Sequence, residues 1–224
     1  MSVDWAALVP YLPDLARGFA VTVALTFGGA ACALFMAIGL VLATSAGGPA
    51  IRRSVRIYTE IILGLPILVL LYLIYFVLPQ LGLRIGEVAA GILTLTLYYA
   101  PYMAEAIRGA IASVPAGQVD AARMIGLNPV QIFIRILLPQ TLGLLIPPLT
   151  GILIGLAKDT AILSVISVHE LAYATKRVVS RTYTPFEVWA LVAGLYWLAL
   201  SALEVLMRRL EGRVTRFRAS GASA

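Results

Sequence analysis

Few residues in this 224-residue chain are of types that do chemistry, and their spacing narrows what they can do. Lys158-Asp159-Thr160 closes a long apolar run. Ionisable groups at membrane depth face a bundle interior or a water-filled cavity. Two uses stay open for them: meeting the carboxylate and amino groups of a small zwitterion, or neutralising each other at the membrane edge. Glu105 and Arg108 lie three apart and read as a structural pair, as do Arg56 and Glu60, four apart. His169 is the single histidine and Cys32 the single cysteine, so no His-cluster metal site, Cys-based metal site or disulfide framework can be built. There is no G-x-S-x-G, no H-E-x-x-H and no G-x-x-x-x-G-K-[ST] phosphate loop. The residues therefore point away from an enzyme and toward binding or transport.

The elements that position these groups are apolar. The chain is 61% hydrophobic and 12% charged. A water-soluble domain carries about 25% charged residues, so lipid rather than water is expected to cover much of this surface. The net charge of +6 comes from arginines beside apolar runs. Such placement suits membrane flanks, with no call for nucleic acid.

A helix crosses the hydrocarbon core with about 20 apolar residues. Charge-free windows predict five spans, at about 19–44, 58–79, 88–112, 138–158 and 187–207. Residues 1–17 read as an N-terminal interfacial segment, anchored by Trp5 and Tyr11. Residues 18–208 then form the transmembrane domain and 209–224 a basic tail facing anionic lipid. With the N-terminus outside and the C-terminus in the cytoplasm, eleven of the 17 basic residues fall on the cytoplasmic side, which sets the orientation. Pro101 is expected to kink the third span, and Pro147-Pro148 to break hydrogen bonding within the fourth, as is tolerated where backbone lines a cavity or packs on neighbours. Gly64 and Pro66 either do the same in the second or serve packing. His169-Glu170 falls on the outer side, as a seat for a soluble binding protein or as a satisfied loop histidine.

The polar interruption of residues 119–140 lies between the third and fourth spans, on the cytoplasmic side. Pro115 suits the first turn of a helix, and Asp120 is expected near its positive end. Gly126 can take the left-handed conformation that ends a helix. Asn128-Pro129 reads as N-cap and first residue of the next helix, which Pro139 disturbs or ends. The predicted shape is a pair of short helices hinged at glycine. Ala121, Ala122 and Gly126 are small enough for close approach by another surface. An elbow between spans and a docking surface both fit.

The spacing Asp120-Ala121-Ala122, three residues, Gly126, nine residues, Ile136-x-Leu138-Pro139 resembles the EAA signature of ABC importer permeases, with Asp for Glu. Glu105 to Gln118 resembles the E-x-x-R-G-x-I-x-S-V-x-x-G-Q run of the polar amino acid subfamily of the histidine, glutamine and arginine type. Leu156 to Ile166 resembles its L-x-K-D-T-x-L-L-S-V-I run. Where that subfamily carries R-G-T-P, this chain has Leu63-Gly64-Leu65-Pro66. The resemblance implies an all-α membrane protein with a type I importer permease fold in the bacterial inner membrane. It also implies that Asp120, Ala121, Ala122, Gly126, Leu127, Asn128 and Pro129 couple to a separate ABC ATPase, which binds the ATP and magnesium. Further implied partners are a second permease copy or paralogue, a periplasmic amino-acid-binding protein and an amino acid substrate, with an opine or peptide as the alternative cargo. Gly64, Leu65, Pro66, Lys158, Asp159 and Thr160 are the expected substrate path.

Overall fold

In the computed structural model, residues 5–219 are described, and they contain helices and no strand. A 3-10 turn, Ala6–Tyr11, leads into α1, Leu12–Ala46. Next come α2, Pro49–Leu63, and α3, Ile67–Tyr72, which extends through a π turn to Leu81. Then α4 spans Glu87–Ala112, α5 spans Ala116–Met124, and α6, Pro129–Ile132, runs through a π turn into α7, Leu138–Asp159. A 3-10 segment, Thr160–Ile166, precedes α8, Leu171–Thr182, and α9, Pro185–Ala219.

Three continuous helical stretches are long and apolar enough to cross a membrane: Ala7–Ala46, Pro129–Ile166 and Pro185–Thr215. The pair Pro49–Leu63 and Ile67–Leu81 makes a fourth if counted as one broken span. The expected span at 88–112 is α4. Its 26 residues reach about 39 Å at 1.5 Å each, but Tyr98, Tyr99, Tyr102, Glu105 and Arg108 dilute its apolar character. Helices, not lipid, cover much of it, since Ala90, Leu95, Ala100 and Ala104 are all 0% exposed.

The core forms where α1 crosses α4. Along α1 a buried stripe recurs every three or four residues: Thr22, Thr26, Ala30, Ala33, Ala37 and Val41. Lipid supplies no hydrophobic drive between helices, so small residues that let backbones close in do the packing. The threonine hydroxyl of Thr26 is satisfied within its own helix, donating to the Thr22 carbonyl at 2.8 Å. A second buried cluster joins Leu8 and Leu15 to Leu171, Val178, Val188 and Val192.

Several expectations need correction. The interfacial segment at 1–17 continues in line with α1 over its described residues, because Leu8 and Leu15 bury against α8 and α9. The span at 58–79 is two helices meeting at 108°. Pro101 lies inside α4 and Pro147 and Pro148 inside α7, at the places where a kink and lost hydrogen bonds are expected. Pro139 does not end its helix. In the π turn before it, the Leu138 N–H bonds the Phe133 carbonyl, five residues back. Leu78-Pro79 follows the same device, with Leu78 bonding Leu73. A widened turn gives a proline ring room that the ordinary helix denies it. The expected tail at 209–224 continues α9 as helix to Ala219, steadied by an Arg208–Glu204 ion pair at 2.6 Å and by Thr215 against Gly143. Residues 1–4 and 220–224 lie outside the described residues.

Unforeseen in the sequence is α8. Glu170 caps it, accepting from the Ala172 and Tyr173 N–H groups at 2.9 and 2.7 Å. The same carboxylate accepts from Thr22 of α1 at 3.3 Å and from Tyr196 of α9 at 3.4 Å. Burial raises the Glu170 pKa, while these four hydrogen bonds pull it back down.

Gly18 lets α8 approach α1: a Cβ there would lie 2.9 Å from the Ala174 Cβ and 3.0 Å from the Glu170 carbonyl oxygen. Around Gly28, ten residues along the same helix, nothing lies within 4 Å. Gly18→Ala is therefore expected to destabilise by about 1–3 kcal/mol. Gly28→Ala should be neutral or stabilising by up to about 1 kcal/mol. Thermal melts of the purified membrane protein check the pair, and equal melting temperatures would contradict this packing.

Candidate functional site: the α5–α6 helix pair and the helix breaks

Between α5 and α6 the local chemistry of the sequence is carried out in full. Gly126 adopts φ +81°, and its N–H bonds the Arg123 carbonyl at 3.0 Å. The Leu127 N–H reaches back to the Ala122 carbonyl at 3.1 Å. These two bonds form the left-handed C-terminal cap of a Schellman motif, where glycine is favoured. One residue later, the Asn128 side chain accepts from the Gln131 N–H at 2.9 Å. The Gln131 side chain accepts from the Asn128 N–H at 3.0 Å. That is a complete capping box, with Pro129 as the first helical residue. A capped end thus abuts a capped start, and the turn between them is fixed.

Side-chain exposure departs from the sequence reading. Asp120 lies in the middle of α5, whose first turn holds no acid, and pairs with Arg123 at 3.3 Å. Both side chains are 68% exposed, so the pair contributes little stability. Of the small residues expected to admit a partner, Ala121 and Gly126 are exposed, whereas Ala122 is buried within the chain itself. Leu127 is half-buried, and Asn128 and Pro129 are exposed. The most prominent groups are ones the sequence reading passed over: Met124 at 89% exposed and Ile125 at 77%, with Val130 and Ile134 beside them. Two adjacent large apolar side chains at the tip of a fixed turn form a knob of the kind that marks an interaction site. A Gln140–Gln118 side-chain hydrogen bond ties α5 to the start of α7, and Ala122 and Ile132 are buried behind the knob.

The second set of residues lies at two helix breaks. Gly64 ends α2, its N–H bonding the Glu60 carbonyl at 3.2 Å, and Pro66 at ψ 136° starts α3. Leu65 between them is half-buried. At the far end of α7, Asp159 accepts from the Tyr99 hydroxyl at 2.7 Å. Gly155 makes this possible, since a Cβ there would meet the Tyr99 oxygen at 3.2 Å. Tyr98 and Tyr102 pack on Tyr99 with ring centroids 5.3–6.1 Å apart. Thr160 is fully buried, donating to the Ala157 carbonyl at 2.8 Å. Lys158 is exposed, and no ion pair joins it to Asp159 among the described residues, so mutual neutralisation is not what holds them. The partner of Asp159 is a tyrosine from another helix, sixty positions away. No hydrogen bond links this end of α7 to the Gly64–Pro66 break.

His169 meets the Tyr173 ring edge-on at 4.4 Å and, with Arg17, Asp14 and Arg177, lines a cavity of about 180 Å³. Among the described residues no group of three metal-ligating side chains occurs.

Residues 35–216 match the family described as binding-protein-dependent transport system inner membrane component. The chain is 32% identical to a probable amino-acid ABC transporter permease, y4tF, of Sinorhizobium fredii, over 97% of this chain and 93% of that one. It is also 32% identical to the glutamine transport system permease GlnP of Escherichia coli, over 96% and 99%. A crystal structure of an amino acid ABC transporter with histidines superposes with a TM-score of 0.88 at 31% identity, covering 95% of this chain and 100% of that one. The inward-facing MetNI methionine ABC transporter superposes with a TM-score of 0.75 at 26% identity, over 93% and 99%. Membership implies an ATPase and a substrate-binding protein as partners. The fixed helix pair, the all-helical bundle and these likenesses agree: the chain belongs to the binding-protein-dependent transport system inner membrane components, the ABC importer permeases, and is a transport component rather than an enzyme.

Proposed function

We propose that this permease carries polar amino acids inward across a bacterial inner membrane, driven by a separate ATPase that grips the α5–α6 turn. The observation that carries the reading is the Met124-Ile125 knob, held at the tip of two back-to-back helix caps. Apolar side chains so exposed suit a groove on another subunit, and the caps make the turn stiff enough to transmit motion. The amino acid assignment rests on the relatives, whose names specify amino acid or glutamine transport.

In this reading the N-terminus is outside and the turn faces the cytoplasm. Nucleotide and magnesium are held by the ATPase and not by this chain. Asp120, Ala121, Gly126, Leu127, Asn128 and Pro129 form or flank the gripped surface, and Ala122 anchors it from beneath. A second permease copy or paralogue completes the path, and a periplasmic binding protein delivers the amino acid. The break at Gly64, Leu65 and Pro66 and the end of α7 at Lys158, Asp159 and Thr160 line the route. Closure of the ATPase pair must favour one arrangement of the helices over another, because a ligand shifts an equilibrium only by its differential affinity.

Proline cannot adopt the φ of +81° held by Gly126. Gly126→Pro is expected to insert normally and to lose uptake while the ATPase still turns over. Radiolabelled amino acid uptake and phosphate release, measured on the same proteoliposomes, separate the two, and normal uptake would contradict the coupling role. Met124→Asp should weaken retention of the ATPase on purification at least about tenfold, the scale set by burying an unpaired charge. Asn128→Ala removes one side of the capping box, at a cost of about 1 kcal/mol. Amide exchange over residues 129–135 should accelerate about fivefold in response. Unchanged exchange would show that the box does not hold the turn.

A further inference from the structure

A cleft opens where the end of α1, the length of α2 and the end of α4 meet, with a volume of about 450 Å³. Arg52, Arg56, Thr59 and Glu60 of α2 line one side, and Glu105 and Arg108 of α4 line the other. Both carboxylates are already paired within their own helices, Glu60 with Arg56 at 2.8 Å and Glu105 with Arg108 at 2.5 Å. Among the described residues Arg52 has no carboxylate partner; its Nε donates to the Thr44 carbonyl at 3.0 Å. The cleft therefore keeps one uncompensated cation, and Arg53 stands at its margin with Arg52 and Arg56. Thr59 also lines this cleft, with its hydroxyl turned in beneath the surface. The residue is 7% exposed and its oxygen has no hydrogen-bond partner.

The geometry of α2 says where this cleft sits. It meets α3 at 108°, so with α3 upright α2 lies close to the membrane plane. Its isoleucines Ile51, Ile57 and Ile61 are exposed, beside three arginines. A basic amphipathic helix of this kind lies at the lipid headgroups, and basic pockets between helices there take anionic headgroups.

We propose that the α1–α2–α4 cleft binds the phosphate of an anionic phospholipid, with Arg52 as the principal cation and the exposed isoleucines of α2 against the acyl chains. Bound there, the lipid braces α2 one turn before the Gly64–Pro66 break. The proposal concerns this chain and lipid alone, and it holds whichever solute the protein carries and whichever way it faces.

The test uses the full chain, purified from membranes with its partner subunits, in nanodiscs of mixed phosphatidylglycerol and phosphatidylcholine, read by native mass spectrometry. Phosphatidylglycerol is expected to be retained preferentially, and Arg52→Gln to lower that preference about fivefold, the scale of one basic residue at a lipid surface. Glu60→Gln, which frees Arg56 from its internal partner, should raise the preference. That opposite direction cannot come from misfolding. Arg181→Gln, on α8 away from the cleft, should leave it unchanged. Equal retention of the two lipids, or no response to Arg52→Gln and Glu60→Gln, overturns the proposal. Displacement of the lipid by millimolar inorganic phosphate assigns the cleft to a free anion and overturns it equally.

Discussion

Inside a bilayer no water is present to satisfy a peptide N–H or carbonyl, so the backbone must bond to itself. Every other feature of this protein follows from that constraint. Through the apolar stretches the chain has one solution, the helix, and departures from the helix are confined to a few sites. At Gly64 the break is closed by bonds back to Glu60 and Ile61. At Pro79 and Pro139 the chain widens into a π turn without opening. At Gly126 and Asn128 two caps account for the free ends of both helices. Each irregularity is satisfied where it occurs, and each lies at or beside a segment that the transport reading needs to be shaped or to move.

Packing follows a related economy. Because lipid tails are as apolar as leucine, α1 and α4 are held by close approach of small residues. Ala33, Ala37, Ala90 and Ala104 are all completely buried. Long-range polar ties are few and specific. Glu170 holds α1, α8 and α9 to one carboxylate, and Tyr99 holds α4 to the end of α7 through Asp159. With so few ties, the bundle is joined at points instead of along continuous networks. That arrangement leaves helices free to shift against one another while each stays intact.

The sequence was most legible where the physics is local. The glycine hinge at Gly126, the Asn128-Pro129 start and the helical pair around them depend on neighbours within five positions, and all appear as read. The all-helical fold was equally plain from composition. Properties set at long range were not visible. Nothing in residues 119–140 reveals that Ala122 is buried while Met124 and Ile125 are exposed, because only the packed structure sets the rotation of α5. Lys158 and Asp159 are adjacent in sequence and invited pairing, but Asp159 binds a tyrosine from α4 across a glycine at position 155. A proline misled in the other direction. Pro139 read as disturbing or ending its helix, yet the helix absorbs it through a π turn that no residue pattern announces. The acid at the head of α8 was read as part of an outer seat, and its burial beneath Thr22 and Tyr196 depends on three helices meeting.

The central claim is mechanical: an apolar knob on a rigid turn is gripped by an ATPase. A photoreactive amino acid at Ile125, in cells expressing the intact transporter, tests it most directly. The account predicts a cross-link to the ATPase subunit from position 125 and none from the exposed Phe35 of α1, a side chain 83% accessible but on a membrane helix. A position 125 that labels only from the external side, or that cross-links to lipid and never to an ATPase, would contradict it.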